Sequence, residues 1–539
     1  MKYSLSLFFL LATFGSLTAQ SFTRQDTLRG SITPERAWWD LTYYDLQVSV
    51  DPEKRSISGS NTIRYRVLEA ADRMQIDLQE PLELKNALQD GMELPLEREG
   101  NAYFIQLSKP QTPGAVEEVV VQYAGTPREA IRAPWDGGFS WRTDSNGLPF
   151  VATSCQGLGA SVWWPNKDHM YDEVDSMAIR VTVPKPLTDV SNGRLRKVTE
   201  TDSTRTFHWF VSNPINNYGV NVNIADYAHF EDTYEGEKGT LDLGYYVLPE
   251  NLEKARVQFR QVPMMLEAFE HWFGPYPFYE DSFKLVEVPY LGMEHQSSVT
   301  YGNGYKNGYR GTDLSGSGWG MKFDFIIIHE AGHEWFANSI TNRDIADMWI
   351  HEGFTAYSEN LYLDYHFGTE AAAAYVIGTR SRIKNDRPII GPYGVNKEGS
   401  GDMYYKGSNL LHTLRQLVED DALWRKILRG LNETFYHQTV TTGQIEDYLS
   451  EQSGKDLQAF FDQYLRTTMI PTLEYRWDGS ILHYRYTEIV DGFDMPIRVL
   501  MDEKPQWIYP TAQWKEKEFG SQPETFRLDP NFYVIAKNR

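Results

Sequence analysis

The 539 residues exceed what one ordinary core holds, and a content of 41% hydrophobic and 14% aromatic residues predicts about two to four well-filled globular domains. A formal charge of −22 argues against general affinity for nucleic acid or anionic membranes. Cys155 is the only cysteine, which excludes an intrachain disulfide and any metal site built on several thiolates.

Residues 1–19 read as an export signal: Lys2, an apolar run from Leu5 to Phe14, then small residues ending at Ala19. The run is shorter than the ~20 residues a spanning helix needs. No cysteine follows Ala19 to take a lipid, and no later stretch is apolar enough to enter a bilayer. The expected location is a bacterial periplasm or outside the cell. Residues 20–35 are polar and are expected to be ordered only by docking.

From Trp38 the pattern turns to strands. Tyr44–Val50 and Asn61–Val67 alternate at period two, with Asp51-Pro52 and Ser58-Gly59 turn signals between them. Further strands are predicted near Tyr103–Leu107, Glu118–Tyr123, Met177–Val183 and Thr206–Val211. Residues 20–235 therefore form an N-terminal antiparallel β domain. Helical periodicity begins at Asn251–Trp272 and stops at Phe273-Gly274-Pro275-Tyr276-Pro277. A strand at Phe283–Pro289 leads into Leu291-Gly292-Met293-Glu294-His295. The Gly-, Ser- and Asn-rich residues 302–320 predict a mobile loop that either borders a cleft or merely connects. Helices fill the rest of a catalytic domain at 236–470. Short alternating strands such as Ile481–Tyr486 predict a small β unit at 471–539. The fold class is multidomain α+β.

The chemistry concentrates in His329-Glu330-Ala331-Gly332-His333. Residues four apart share a helix face, so both imidazoles point at one place, and Glu330 sits one residue round as a candidate general base. Catalytic zinc takes three protein ligands and keeps an open position. Glu352, with 18 residues between it and His333, is the candidate third ligand from a second antiparallel helix. One Zn2+ per chain is expected. The run Phe325-Ile326-Ile327-Ile328 buries the first helix, and buried His and Glu need a partner that a metal supplies. Glu359 lies two turns past Glu352. It either fixes the far nitrogen of a ligand histidine from behind or is a solvated helical carboxylate. His351 is rotated about 100° from Glu352 and points elsewhere.

The ordered set of motifs resembles the zinc-dependent gluzincin aminopeptidases, the family that includes aminopeptidase N and leukotriene hydrolase. The likeness runs through the opening strands with Asp51-Pro52, Phe273–Pro277, Met293-Glu294, the His329–Trp335 segment, Trp349–Phe354 and Tyr404-Tyr405-Lys406-Gly407. It implies a thermolysin-like catalytic domain and hydrolysis of N-terminal peptide bonds. It also implies that Tyr404, two positions before Lys406-Gly407, donates to the oxyanion; Tyr405 is the competing assignment. Glu294 would bind the substrate's free amine, Gln156 would accept a second amine hydrogen, and Gly292 would offer its backbone to the substrate carbonyl. Leu291 and His295 depart from the family's Gly-x-Met-Glu-Asn pattern, and His295 reads as a structural substitute. Gln156 is otherwise a buried amide satisfied by backbone.

The alternatives are a thermolysin-like endopeptidase, which has one more residue between second His and distal Glu, and a non-catalytic peptide-binding relative. The motifs are compatible with an epoxide hydrolase side activity as well. The large C-terminal helical domain of many relatives is absent from the expected architecture. An open cleft, or one closed by a second subunit, is expected instead.

Overall fold

The computed structural model describes residues 21–539; the export signal expected at 1–19 lies outside the described residues. The docking segment forms short helices, Arg24–Gly30 and Pro34–Ala37. It is fastened where buried Arg36 reaches Asp77 at 2.6 Å.

The N-terminal unit is built on an eight-stranded sheet. Its centre is Trp39–Asp51 paired with Ser56–Val67, so that Tyr44, Leu46, Val48 and Val50 all turn into the core. Alternation at period two is what makes that possible. The pairing departs from the expected antiparallel pattern at one place: Trp39–Asp51 runs parallel to Ser176–Pro184, Leu46 opposite Ile179. A parallel neighbour needs a long crossover. Here it is filled by the chain between, which carries a three-stranded sheet, part of a four-stranded sheet, and the fully buried Trp163 and Trp164.

The expected boundary near 235 falls within a hairpin. Ala228–Gly236 pairs with Gly239–Val247, and that strand runs parallel to Phe283–Glu287. The hairpin thus belongs to the five-stranded sheet completed by Gly292–Met293 and Val299–Tyr301. Strand alternation reveals the strands but not the sheet they join. The predicted helix 251–272 is two helices, Leu252–Gln258 and Gln261–Phe273. Pro263 explains the break. It has no N–H, and its ring would collide with the Phe259 carbonyl in a continuous helix, so it sits in a new first turn.

Downstream lie the helices that carry the candidate chemistry: Phe325–Gly332, Trp349–Phe367 and Tyr405–Val418. Two close approaches set their spacing. A Cβ on Gly332 would come within 2.5 Å of Ser358 Oγ, and one on Gly407 within 2.9 Å of the Gly353 Cα. The C-terminal strands form a four-stranded and a three-stranded sheet. Leu473, Leu482, Ile497 and Val499 share one apolar core with the helices. Among the described residues no helix is long and apolar enough to cross a membrane.

Candidate metal centre

Asp324 starts the histidine helix. Its carboxylate accepts from the Ile326 amide at 3.1 Å and is held by Tyr301, Asn303 and Gln258. Burial pushes this carboxyl up to about 6 while those donors pull it back. Cap and apolar run together seat His329 and His333 with ring centroids 5.0 Å apart.

Each imidazole is fixed by its Nδ1. That of His329 lies 2.7 Å from Glu359 Oε1, and that of His333 lies 3.0 Å from the Phe336 carbonyl and 3.0 Å from Thr355 Oγ1. With Nδ1 as the donor toward carboxylate and carbonyl, both Nε2 atoms carry lone pairs, and both face Glu352 Oε2 at 3.6 and 3.4 Å. That oxygen is buried without a hydrogen-bond partner. Three buried acceptors converging with no donor between them fit a cation, and two imidazoles with one carboxylate fit zinc.

The other predicted site residues gather in the same cleft of about 390 Å³: Glu330, Glu294, Gln156, Gly292, Tyr404 and Tyr405. Ligand atoms of Glu294, Glu330 and His333 also lie within 4.8 Å of one another, so two further carboxyls crowd the same space. Burial, with Glu294 and Glu352 nearby, pushes the Glu330 carboxyl up to about 7 against the pull of His329 and His333. Gln156 Nε2 donates to Glu294 Oε1 at 2.5 Å and to Glu352 Oε1 at 3.2 Å, which leaves the amide oxygen for another partner. Gly292 packs under the histidine helix: a Cβ there would meet Ile326 Cγ2 at 2.6 Å. The Tyr404 ring lies 6.0 Å from that of His329, and burial with the Glu352 charge raises its phenol well above the ordinary value, so it stays a donor. Tyr309, from the 302–320 loop, also lines the cleft.

Two histidines stand apart. His351 accepts the Asn342 amide at 2.8 Å, and His295 faces Thr300 Oγ1 at 3.3 Å, kept neutral by burial. Sequence reasoning missed the support of the Glu294 loop. Glu334 accepts the Ser297 amide at 3.0 Å, and Asn338 donates to the Glu294 carbonyl at 2.8 Å. Ser297 has φ +54°, a left-handed backbone that the Glu334 contact holds in place.

A helix-borne pair of histidines, a carboxylate from the next helix and an adjoining glutamate, below a β-rich unit, define a zinc metallopeptidase. The Peptidase M1 N-terminal domain matches residues 41–218 and the Peptidase family M1 domain matches 258–464, and the chain belongs to the peptidase M1 family. It is 22% identical to leukotriene A-4 hydrolase of Xenopus laevis over 83% of this chain and 74% of that one. It is 25% identical to aminopeptidase B of Mus musculus over 77% and 66%. Endoplasmic reticulum aminopeptidase 1 of Homo sapiens is 24% identical over 61% of this chain, which spans only 36% of that relative. An M1 zinc metallopeptidase from Deinococcus radiodurans, solved with a Tyr-Ser-Ala substrate, shares the fold with TM-score 0.67. That likeness, at 22% identity, covers 82% of this chain and 98% of the other.

Proposed function

We propose that this chain is an exported zinc aminopeptidase, acting in a periplasm or outside the cell on peptides with a free N-terminus. His329, His333 and Glu352 hold the metal. When bound, zinc supplies Lewis acidity for the scissile carbonyl and lowers the pKa of its water toward ~7. Glu330 takes a proton from the attacking water and returns it to the leaving amine. The Tyr404 hydroxyl donates to the developing oxyanion, and the Gly292 backbone orients the substrate carbonyl. Glu294 supplies charge and the Gln156 oxygen a neutral acceptor for the substrate ammonium, so one residue fits before the scissile bond.

The observation that supports this reading is the Gln156–Glu294 contact, which holds a second carboxylate beside Glu330 in the cleft. An endopeptidase has no use for such a carboxylate. The test compares a free peptide with its N-acetylated form, with and without chelator, on wild type and Glu330→Gln. Hydrolysis of the free peptide alone is expected, lost to chelator and reduced by at least ~10²-fold in the variant, which keeps its zinc. Equal turnover of the acetylated peptide overturns the aminopeptidase reading in favour of an endopeptidase. Sedimentation at working concentration reads whether the cleft is open or closed by a second subunit.

A further inference from the structure

Four glutamates line the cleft, and neither lysine nor arginine does. Glu294, Glu330 and Glu352 each have a place in the reading above. Glu398 has none. It is half-buried, and among the described residues no hydrogen-bond donor or cation pairs with its side chain.

The segment that presents Glu398 is tied down on both sides. The Gly391 amide donates to the Ala346 carbonyl at 2.9 Å, and the Ser400 amide to that of Pro388 at 2.9 Å. Arg387 Nη2 reaches the Gly399 carbonyl at 2.8 Å, and a Cβ on Gly399 would strike the Ile389 carbonyl oxygen at 1.7 Å. Asn396 Nδ2 donates to the Gly157 carbonyl at 3.3 Å, which joins this segment to the residue after Gln156. Glu398, two residues on, therefore lines the cleft from a backbone held against the segment that carries Gln156. Pro134, Trp135 and Met403 line the same cleft, and Trp135 is 64% exposed although large and aromatic. An apolar, aromatic wall leading to an unpaired carboxylate suits a side chain with an aliphatic stem and a cationic tip.

We propose that Glu398 is a specificity-determining residue that pairs with the ammonium or guanidinium of a basic N-terminal side chain, selecting peptides that begin with Lys or Arg. The inference rests on the aminopeptidase reading. A zinc divalent charge and the substrate ammonium match the other three carboxylates, which leaves Glu398 to repel an acidic first residue and attract a basic one.

Calorimetric binding of L-argininamide and L-leucinamide to the zinc-loaded protein, with hydrolysis of either amide suppressed by Glu330→Gln, tests this with Glu398 present and with Glu398→Gln. Argininamide is expected to bind about tenfold tighter than leucinamide, equivalent to ~1.4 kcal/mol. That ratio should fall to within about twofold in Glu398→Gln, an isosteric change at a partly exposed position whose melting curve stays that of wild type. Arginyl and leucyl reporter substrates should show the same collapse in the ratio of kcat/KM. Equal binding of the two amides with Glu398 present, or an unchanged ratio in Glu398→Gln, overturns the assignment to Glu398 and leaves the aminopeptidase reading intact. Failure of both amides to bind, with acetylated peptides still cleaved, overturns both.

Discussion

At the scale of single residues, the centre works by fixing hydrogens on the far side of each ligand. Glu359 sits behind His329 at 2.7 Å and also receives the Tyr375 hydroxyl, so its orientation is set by two donors. Glu359→Gln keeps the shape and removes the charge that makes the imidazole a better donor to metal. Zinc affinity should drop roughly 10-fold to 100-fold, read by competition with a calibrated chelator; undiminished affinity would make Glu359 a bystander. Tyr404→Phe deletes only the hydroxyl. It should lower kcat by about 10²–10³, equivalent to ~3–4 kcal/mol, with KM little changed. The same loss from Tyr405→Phe, with Tyr404→Phe silent, would transfer the role to the neighbouring ring. The meeting of His329, His333 and Glu352 beside Glu330 was legible because four-residue spacing puts both imidazoles on one helix face and Glu352 is placed to return from the next helix. The support from Glu334, Ser297 and Asn338 was not, because it joins a helix end to a loop some 40 residues away in the chain.

At the scale of elements, glycine contacts bring three helices close enough to share one cleft. Gly407 explains why a Lys-Gly pair follows Tyr404-Tyr405. The lysine is buried, with Nζ 2.8 Å from the Thr467 carbonyl, and the glycine lets its helix touch Gly353. Gly407→Ala must push backbone against backbone, at a cost of about 1–3 kcal/mol, and moves Tyr404 away from His329. Its denaturation midpoint and kcat should both fall. Gly401→Ala, where a Cβ meets open space, should leave both unchanged and serves as the control. The break at Phe259–Arg260 was written in Pro263, and periodicity alone passed over it because both helices keep the same apolar face toward the core.

At the scale of the whole molecule, the cleft is assembled from units that the chain order separates. Gln156 comes from the β-rich unit, Glu294 from the mixed sheet, and Tyr404 from the far end of the helices. Without a cation, His329, His333 and Glu352 face one another as acceptors, so metal binds only the folded arrangement. Chelation should lower the melting temperature, and zinc at ~1,000 times its Kd should restore about 4 kcal/mol. Magnesium should not, since it prefers oxygen ligands. A melting curve indifferent to chelator would mean that these three side chains hold no ion.

The sequence by itself determined the α+β class and the meeting of His329, His333 and Glu352, with Glu330 beside them. Those features rest on local periodicity and spacing, which a helix or strand turns directly into a shared face. Only the tertiary structure decided that Ala228–Gly236 joins the sheet of Phe283–Glu287, that Trp39–Asp51 has a parallel neighbour, and that Glu398 lines the cleft with no side-chain partner among the described residues. Each of those depends on which distant backbone a segment meets, and hydrogen bonds between segments far apart in the chain leave no period along it.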